Sequence, residues 1–128
     1  MVYEKFLYFR TEATAENDDA AGDSAMYPLS NLMGMVPSAD DTLNIYFKPM
    51  IGVQQNTDDD VAEVLNNDYV VVTLSTNNTH KDVIERLTRL FHGIPHKDPF
   101  ISVADDQTGV YAVEGIAGLS TISTPTLA

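Results

Sequence analysis

The chain has 128 residues, with 19 Asp or Glu against 7 Lys or Arg, a formal net charge of −12 and a pI near 4.2. That length fits one domain, and 44 % apolar residues supply a core without metal or disulfide staples. The absence of cysteine excludes disulfides, thiol nucleophiles and thiolate zinc sites, while the acidic balance disfavours nucleic acid and anionic membranes as partners, because affinity for either comes mainly from clustered Lys and Arg.

Residues 2–10 alternate, with Tyr3, Lys5, Leu7 and Phe9 on one face and Val2, Glu4, Phe6, Tyr8 and Arg10 on the other. Aromatics on both sides predict a strand with both faces partly covered. Charges inside this apolar run do not fit a secretory signal, and no uncharged apolar stretch is long enough to span a bilayer, so synthesis in a cytosol is expected. Residues 11–25 are dominated by Ala, Glu, Asp, Asn and Gly, and read as a long acidic loop. Large side chains return at 26–36 around Pro28 and Gly34 with no period of 2 or 3.6, which suggests an irregular packed segment.

Over 42–48, Leu43, Ile45 and Phe47 alternate with Asn44, Tyr46 and Lys48, the pattern of a half-buried strand ended by Pro49. Residues 49–67 hold Asp58, Asp59 and Asp60 among several Asn, and read as an exposed loop. The β-branched run at 69–74 predicts a central strand covered on both faces.

A helix is expected at about 80–92. Thr79 or Asn78 offers an N-cap oxygen, Gly93 suits the left-handed C-terminal position, and Val83, Ile84, Leu87, Leu90 and Phe91 form one apolar stripe. Lys81, Glu85, Arg86 and Arg89 then face outward. Phe100 to Ala104 and Val110 to Val113, flanking a turn that ends at Gly109, predict a hairpin at about 99–114, and 116–122 a last strand. The expected fold is α+β: a mainly antiparallel sheet of about five or six strands, one packed helix and long acidic loops, in a single domain over 1–128.

Chemistry-bearing patterns are sparse. The seven glycines form no phosphate-binding loop, and no Gly-x-Ser-x-Gly elbow marks Ser30, Ser75 or Ser102 as a nucleophile. His80, His92 and His96 invite a metal reading, but Gly93 and Pro95 end the helix between the last two, leaving helix-end polarity as the simpler role. Asp18-Asp19, Asp40-Asp41, Asp58-Asp59-Asp60 and Asp105-Asp106 lack the spacing of a calcium loop, and turn initiation explains them. No catalytic residue, cofactor or metal ligand is expected. Charge is more informative: residues 1–78 carry thirteen acids and three bases, 79–97 four bases and two acids, and 98–128 four acids and no base. The helix therefore offers Lys81, Arg86 and Arg89 as a protein interface toward an acidic neighbour, a second copy of the chain included; the alternative is an ordinary solvated helix face.

Tyr3-Glu4-Lys5-Phe6-Leu7-Tyr8-Phe9-Arg10, then Glu16-Asn17-Asp18-Asp19, Tyr27-Pro28-Leu29-Ser30-Asn31-Leu32-Met33-Gly34-Met35 and Pro99-Phe100-Ile101-Ser102-Val103-Ala104-Asp105-Asp106 resemble small proteins of marine tailed bacteriophages. The resemblance spans most of the chain and consists of structural patterns, with no catalytic signature. It implies a virion structural protein, most plausibly a capsid decoration (cement) protein on the head exterior, with the major capsid protein and other copies of itself as partners. The alternatives are a head–tail or tail component, or an acidic host-directed binding module.

Overall fold

The computed structural model describes residues 4–14, 22–49, 67–92 and 100–123. Eight strands and one helix follow in order: β1 (Phe6–Arg10), β2 (Ser24–Pro28), a 3-10 turn (Leu29–Asn31), β3 (Leu32–Ala39), β4 (Thr42–Phe47), β5 (Asp68–Leu74), α1 (His80–His92), β6 (Phe100–Asp105), β7 (Val110–Tyr111) and β8 (Ile116–Ser123). They form two four-stranded sheets, A with order β2-β1-β6-β7 and B with order β3-β4-β5-β8. All pairings are antiparallel except β1 with β6, which run parallel. The class is the α+β, mainly antiparallel fold that the sequence predicts, with eight strands instead of five or six and two sheets in place of one.

Strand alternation builds the core. Leu7 and Phe9 from β1, Leu43, Ile45 and Phe47 from β4, and Val70, Val72 and Leu74 from β5 bury one side of their strands, and Val83, Leu87 and Phe91 bury one stripe of α1. The sheets meet through aromatic rings. Tyr27 of β2 stacks on Phe47 of β4 with centroids 4.2 Å apart, and Phe9 meets Phe47 edge-on at 5.8 Å.

Residues 26–36 are ordered β structure and not an irregular segment: β2 closes the edge of sheet A, the 3-10 turn reverses direction, and β3 opens sheet B. Their periodicity is hidden because β2 and β3 are edge strands, with Met26, Met33 and Val36 all exposed, and because the β3 register slips between Leu32 and Gly34 and between Pro37 and Ala39. The loop expected at 11–25 ends earlier, since Ser24 and Ala25 already pair with Arg10 and Phe9. The hairpin at 99–114 is real but narrow: β7 is two residues long, and the main partner of β6 is β1. β5 is central, yet only one of its faces is buried, with Tyr69, Val71 and Thr73 half-exposed on the other. The loop expected at 49–67 falls almost wholly outside the described residues.

Helix α1 has the expected bounds. The Thr79 hydroxyl donates to the Thr76 carbonyl (2.7 Å), and Asn78 takes a left-handed turn conformation at φ 63°. Thr79 starts the helix through its carbonyl, which accepts from the Val83 N–H at 3.2 Å. At the other end the buried Lys5 ammonium donates to the carbonyls of Leu90 (3.2 Å) and Phe91 (2.8 Å). A positive charge on last-turn carbonyls satisfies acceptors that the helix leaves open and complements its dipole. Replacing Lys5 by Met keeps the length of the side chain and removes both donors; the expected loss is about 1–3 kcal/mol in a urea melt, and an unchanged midpoint would show that the cap contributes nothing.

Candidate interaction surfaces

The strands carry three charged residues, Arg10, Asp68 and Asp105, and all three are buried. Every exposed charge among the described residues therefore sits on α1, in a turn or in a connection. Burying a charge is tolerated only where hydrogen bonds replace water, and each of the three has them. The Arg10 guanidinium donates to the carbonyls of Glu12 and Thr14, both at 2.8 Å, which folds the chain after β1 over that end of sheet A. Asp68, only 2 % exposed, accepts from the Tyr27 hydroxyl at 3.0 Å. Asp105 accepts from the N–H groups of Gln107 and Thr108 and so shapes the β6–β7 turn.

Asp106 joins the two sheets. Its carboxylate accepts from the Tyr111 hydroxyl at 2.8 Å and from the Leu119 N–H of edge strand β8 at 3.2 Å. Burial, then the hydrogen bond to Asp106 and the charges of Asp106 and Asp105, push the Tyr111 hydroxyl up to about 12. Burial and the facing Asp68 carboxylate raise Tyr27 further above the ordinary phenol value. The paired acids of these turns thus have structural work: Asp40 and Asp41 likewise give their carbonyls to Asn78 and Leu74. Asp18-Asp19 and Asp58-Asp59-Asp60 lie outside the described residues.

The two histidines among the described residues do not converge. His80, at the first turn of α1, presents Nε2 to the carbonyls of Ala39 and Thr42 at 2.8 and 2.9 Å, so that nitrogen carries the proton and ties the helix to the β3–β4 turn. His92 lies twelve residues further on, about 18 Å along the helix axis, and His96 is outside the described residues. No group of three His, Asp or Glu among the described residues is placed to hold a metal.

Lys81, Arg86 and Arg89 are all exposed on α1, as the amphipathic pattern predicts. Two of them already have intramolecular partners. Arg86 Nη1 donates to the Glu114 carbonyl at 2.9 Å, beside Gly115, where an added Cβ would sit 2.9 Å from Val83 Cγ2. Arg89 pairs with Glu85 one turn away at 3.3 Å, with the two side chains 77 % and 44 % exposed. An exposed pair of that kind holds its partner weakly and leaves the guanidinium accessible.

Two sheet faces went unnoticed in the sequence, because register decides them. On the outer side of sheet B, Val36, Asn44, Val71 and Thr121 align in one row and Gly34, Tyr46, Tyr69 and Ser123 in the next. The Tyr46 and Tyr69 rings are 5.6 Å apart, and Asn44 Nδ2 donates to the Tyr46 hydroxyl at 3.1 Å. The outer side of sheet A carries Phe6, Tyr8, Met26 and Phe100. Both faces are uncharged along these rows.

A tyrosine whose folded-state pKa lies above its unfolded value of about 10 adds stability that is complete below that value and is lost as pH climbs through the folded one. Alkaline destabilisation is therefore expected from about pH 10 upward, with Tyr27 and Tyr111 ionising above the ordinary phenol range in a 295 nm titration. Tyr27→Phe keeps the ring stack but deprives buried Asp68 of a donor; an expected cost of about 1–3 kcal/mol at neutral pH is measured by denaturant melting. Compared with protein-family models, curated proteins and solved structures, the chain matches none of them.

Proposed function

We propose that this chain is a non-enzymatic structural protein of a tailed-phage virion, a decoration or cement protein bound to the major capsid protein on the outside of the head. The phage-like pattern of residues 3–10, 27–35 and 99–106 motivates the reading. The observation that carries it is the placement of charge: among the described residues, exposed acids and bases occupy turns, connections and one helix, while the strands hold charge only where it is buried. Neutral sheet faces suit packing against protein, and acidic turns keep the same molecule soluble and away from packaged nucleic acid. The buried ionisable groups support a scaffold role as well. Lys5, Arg10, Asp68 and Asp105 donate to, or accept from, groups of the fold itself.

The test is direct. Purified protein added to expanded capsids that lack it is expected to bind in hundreds of copies and to raise their melting temperature. Failure to bind, with capsid melting unchanged, overturns the proposal, and binding at six to a dozen copies per particle would favour a head–tail component instead. Reversing charge at both Arg86 and Arg89 should change folding stability by no more than about 1 kcal/mol, since both side chains are exposed, yet weaken capsid binding. Unchanged binding would remove α1 from the interface.

A further inference from the structure

On the outer side of sheet B an aromatic ring is laid down along its strand. Asn44 and Tyr46 share one face of β4, roughly 7 Å apart along the chain, yet Asn44 Nδ2 donates to the Tyr46 hydroxyl at 3.1 Å. A phenol hydroxyl reaches back two residues only if its ring lies along the strand, with one face against the sheet and the other turned outward. Tyr69, directly opposite across the β4–β5 pair, adds a second ring with its centroid 5.6 Å away and its plane inclined at 42°. Both tyrosines are half-exposed. On the other flank of Tyr46 the register places Gly34, where an added Cβ would meet nothing within 4 Å, so among the described residues no side chain walls the ring off toward β3.

Polar groups with bonds to spare surround the rings. The Tyr46 oxygen accepts from Asn44, which leaves its own O–H to donate, and Asn44 Oδ1 is buried with no hydrogen-bond partner among the described residues. Val71 and Thr121 continue the row of Asn44. Neither row holds a charge, and Lys48 lies past the end of β4. We propose that this face is a carbohydrate-binding platform, on which Tyr46 and Tyr69 stack against the C–H face of a sugar ring of an uncharged polysaccharide while Asn44 and the phenol hydroxyls bond the sugar hydroxyls.

The chemistry of the face selects this occupant. A pyranose offers a flat C–H face, which outward ring faces match, and a rim of hydroxyls, which unspent donors and acceptors match. The centre of a protein interface is more apolar than rows in which rings and Val71 alternate with amide and hydroxyl groups. Nucleobases also stack on tyrosine, but their phosphates would enter the field of a chain that carries −12. An uncharged sugar is indifferent to that field. Two rings and a few hydrogen bonds give weak binding, on the order of 0.1–1 mM, which should not change as salt rises from about 50 to 500 mM. This inference goes beyond the virion reading and does not depend on it: the free chain binds the sugar.

The experiment is a titration of the full, nitrogen-15-labelled chain with cellohexaose, laminarihexaose and xylohexaose, followed by amide shifts in NMR spectra. The expected result is that at least one of these sugars moves the signals of Asn44, Tyr46 and Tyr69, at low and high salt alike. Tyr69→Leu keeps an apolar strand residue but removes the ring face, and should weaken binding at least roughly tenfold, whereas Tyr69→Phe keeps the ring and should stay within about threefold of the parent. Should Tyr69→Leu not fold, Tyr46→Leu tests the same contact from the neighbouring strand. Binding of none of the three sugars overturns the proposal. So does binding that moves signals elsewhere, that ignores the loss of either ring, or that fades as salt is added. A proline decapeptide that moves these signals where the sugars do not assigns the face to a peptide and overturns the proposal equally.

Discussion

The ammonium of Lys5 is the point on which distant parts of the chain converge. Its side chain ends on the last-turn carbonyls of α1, and its own carbonyl accepts the Leu29 N–H at 2.8 Å, where the chain leaves sheet A for sheet B. One residue thus ties together the start of β1, the end of the helix and the turn between the sheets. At 6 % exposure it has given up water on nearly every side, and fixed carbonyl dipoles of the helix end take the place of part of that water. Around this anchor the aromatic contacts of Phe9, Tyr27 and Phe47 can stay dry and hold the sheets face to face.

A second clasp works at the opposite corner. Asp106 bridges from the β6–β7 turn to β8, and its acceptance of the Leu119 N–H occupies an edge of sheet B that would otherwise present a free donor. Arg86 adds a tether from α1 to the Glu114 carbonyl in the same region. The sheets are therefore joined at one side by the short turn from β2 to β3 and at the other by a side-chain carboxylate.

How much of this was legible beforehand depended on the kind of signal. The helix could be read almost to the residue, because Val83, Leu87 and Phe91 recur at helical spacing whatever surrounds them. β4 was equally plain, since Leu43, Ile45 and Phe47 alternate against polar neighbours. β2 and β3 were not, for an edge strand with slipped register and both sides partly open leaves no alternation to find. Nor could the sequence divide the strands between two sheets, because that depends on pairings between segments far apart in the chain. Lys5 was assigned to the same face as Leu7 and Phe9, but nothing local says that a lysine there ends on a helix C-terminus eighty-five residues away. Of the candidate interface, Lys81, Arg86 and Arg89 are legible from the local excess of bases and helical spacing, and the neutral outer faces are not, because a face is defined by cross-strand neighbours.

The parallel pairing of β1 with β6 carries a consequence for how the protein comes into being. β1 sits inside sheet A, between β2 and β6, so it waits for residues beyond 100 before its second edge is covered. Local hairpins such as β3–β4 can close early, but sheet A closes only once β6 has been made, about ninety residues after β1, which marks a slow, non-local folding step. In that interval the strand of Phe6, Leu7, Tyr8 and Phe9 has β2 on one edge and nothing on the other, and the dense negative charge of the residues that follow acts as its solubilising escort during synthesis.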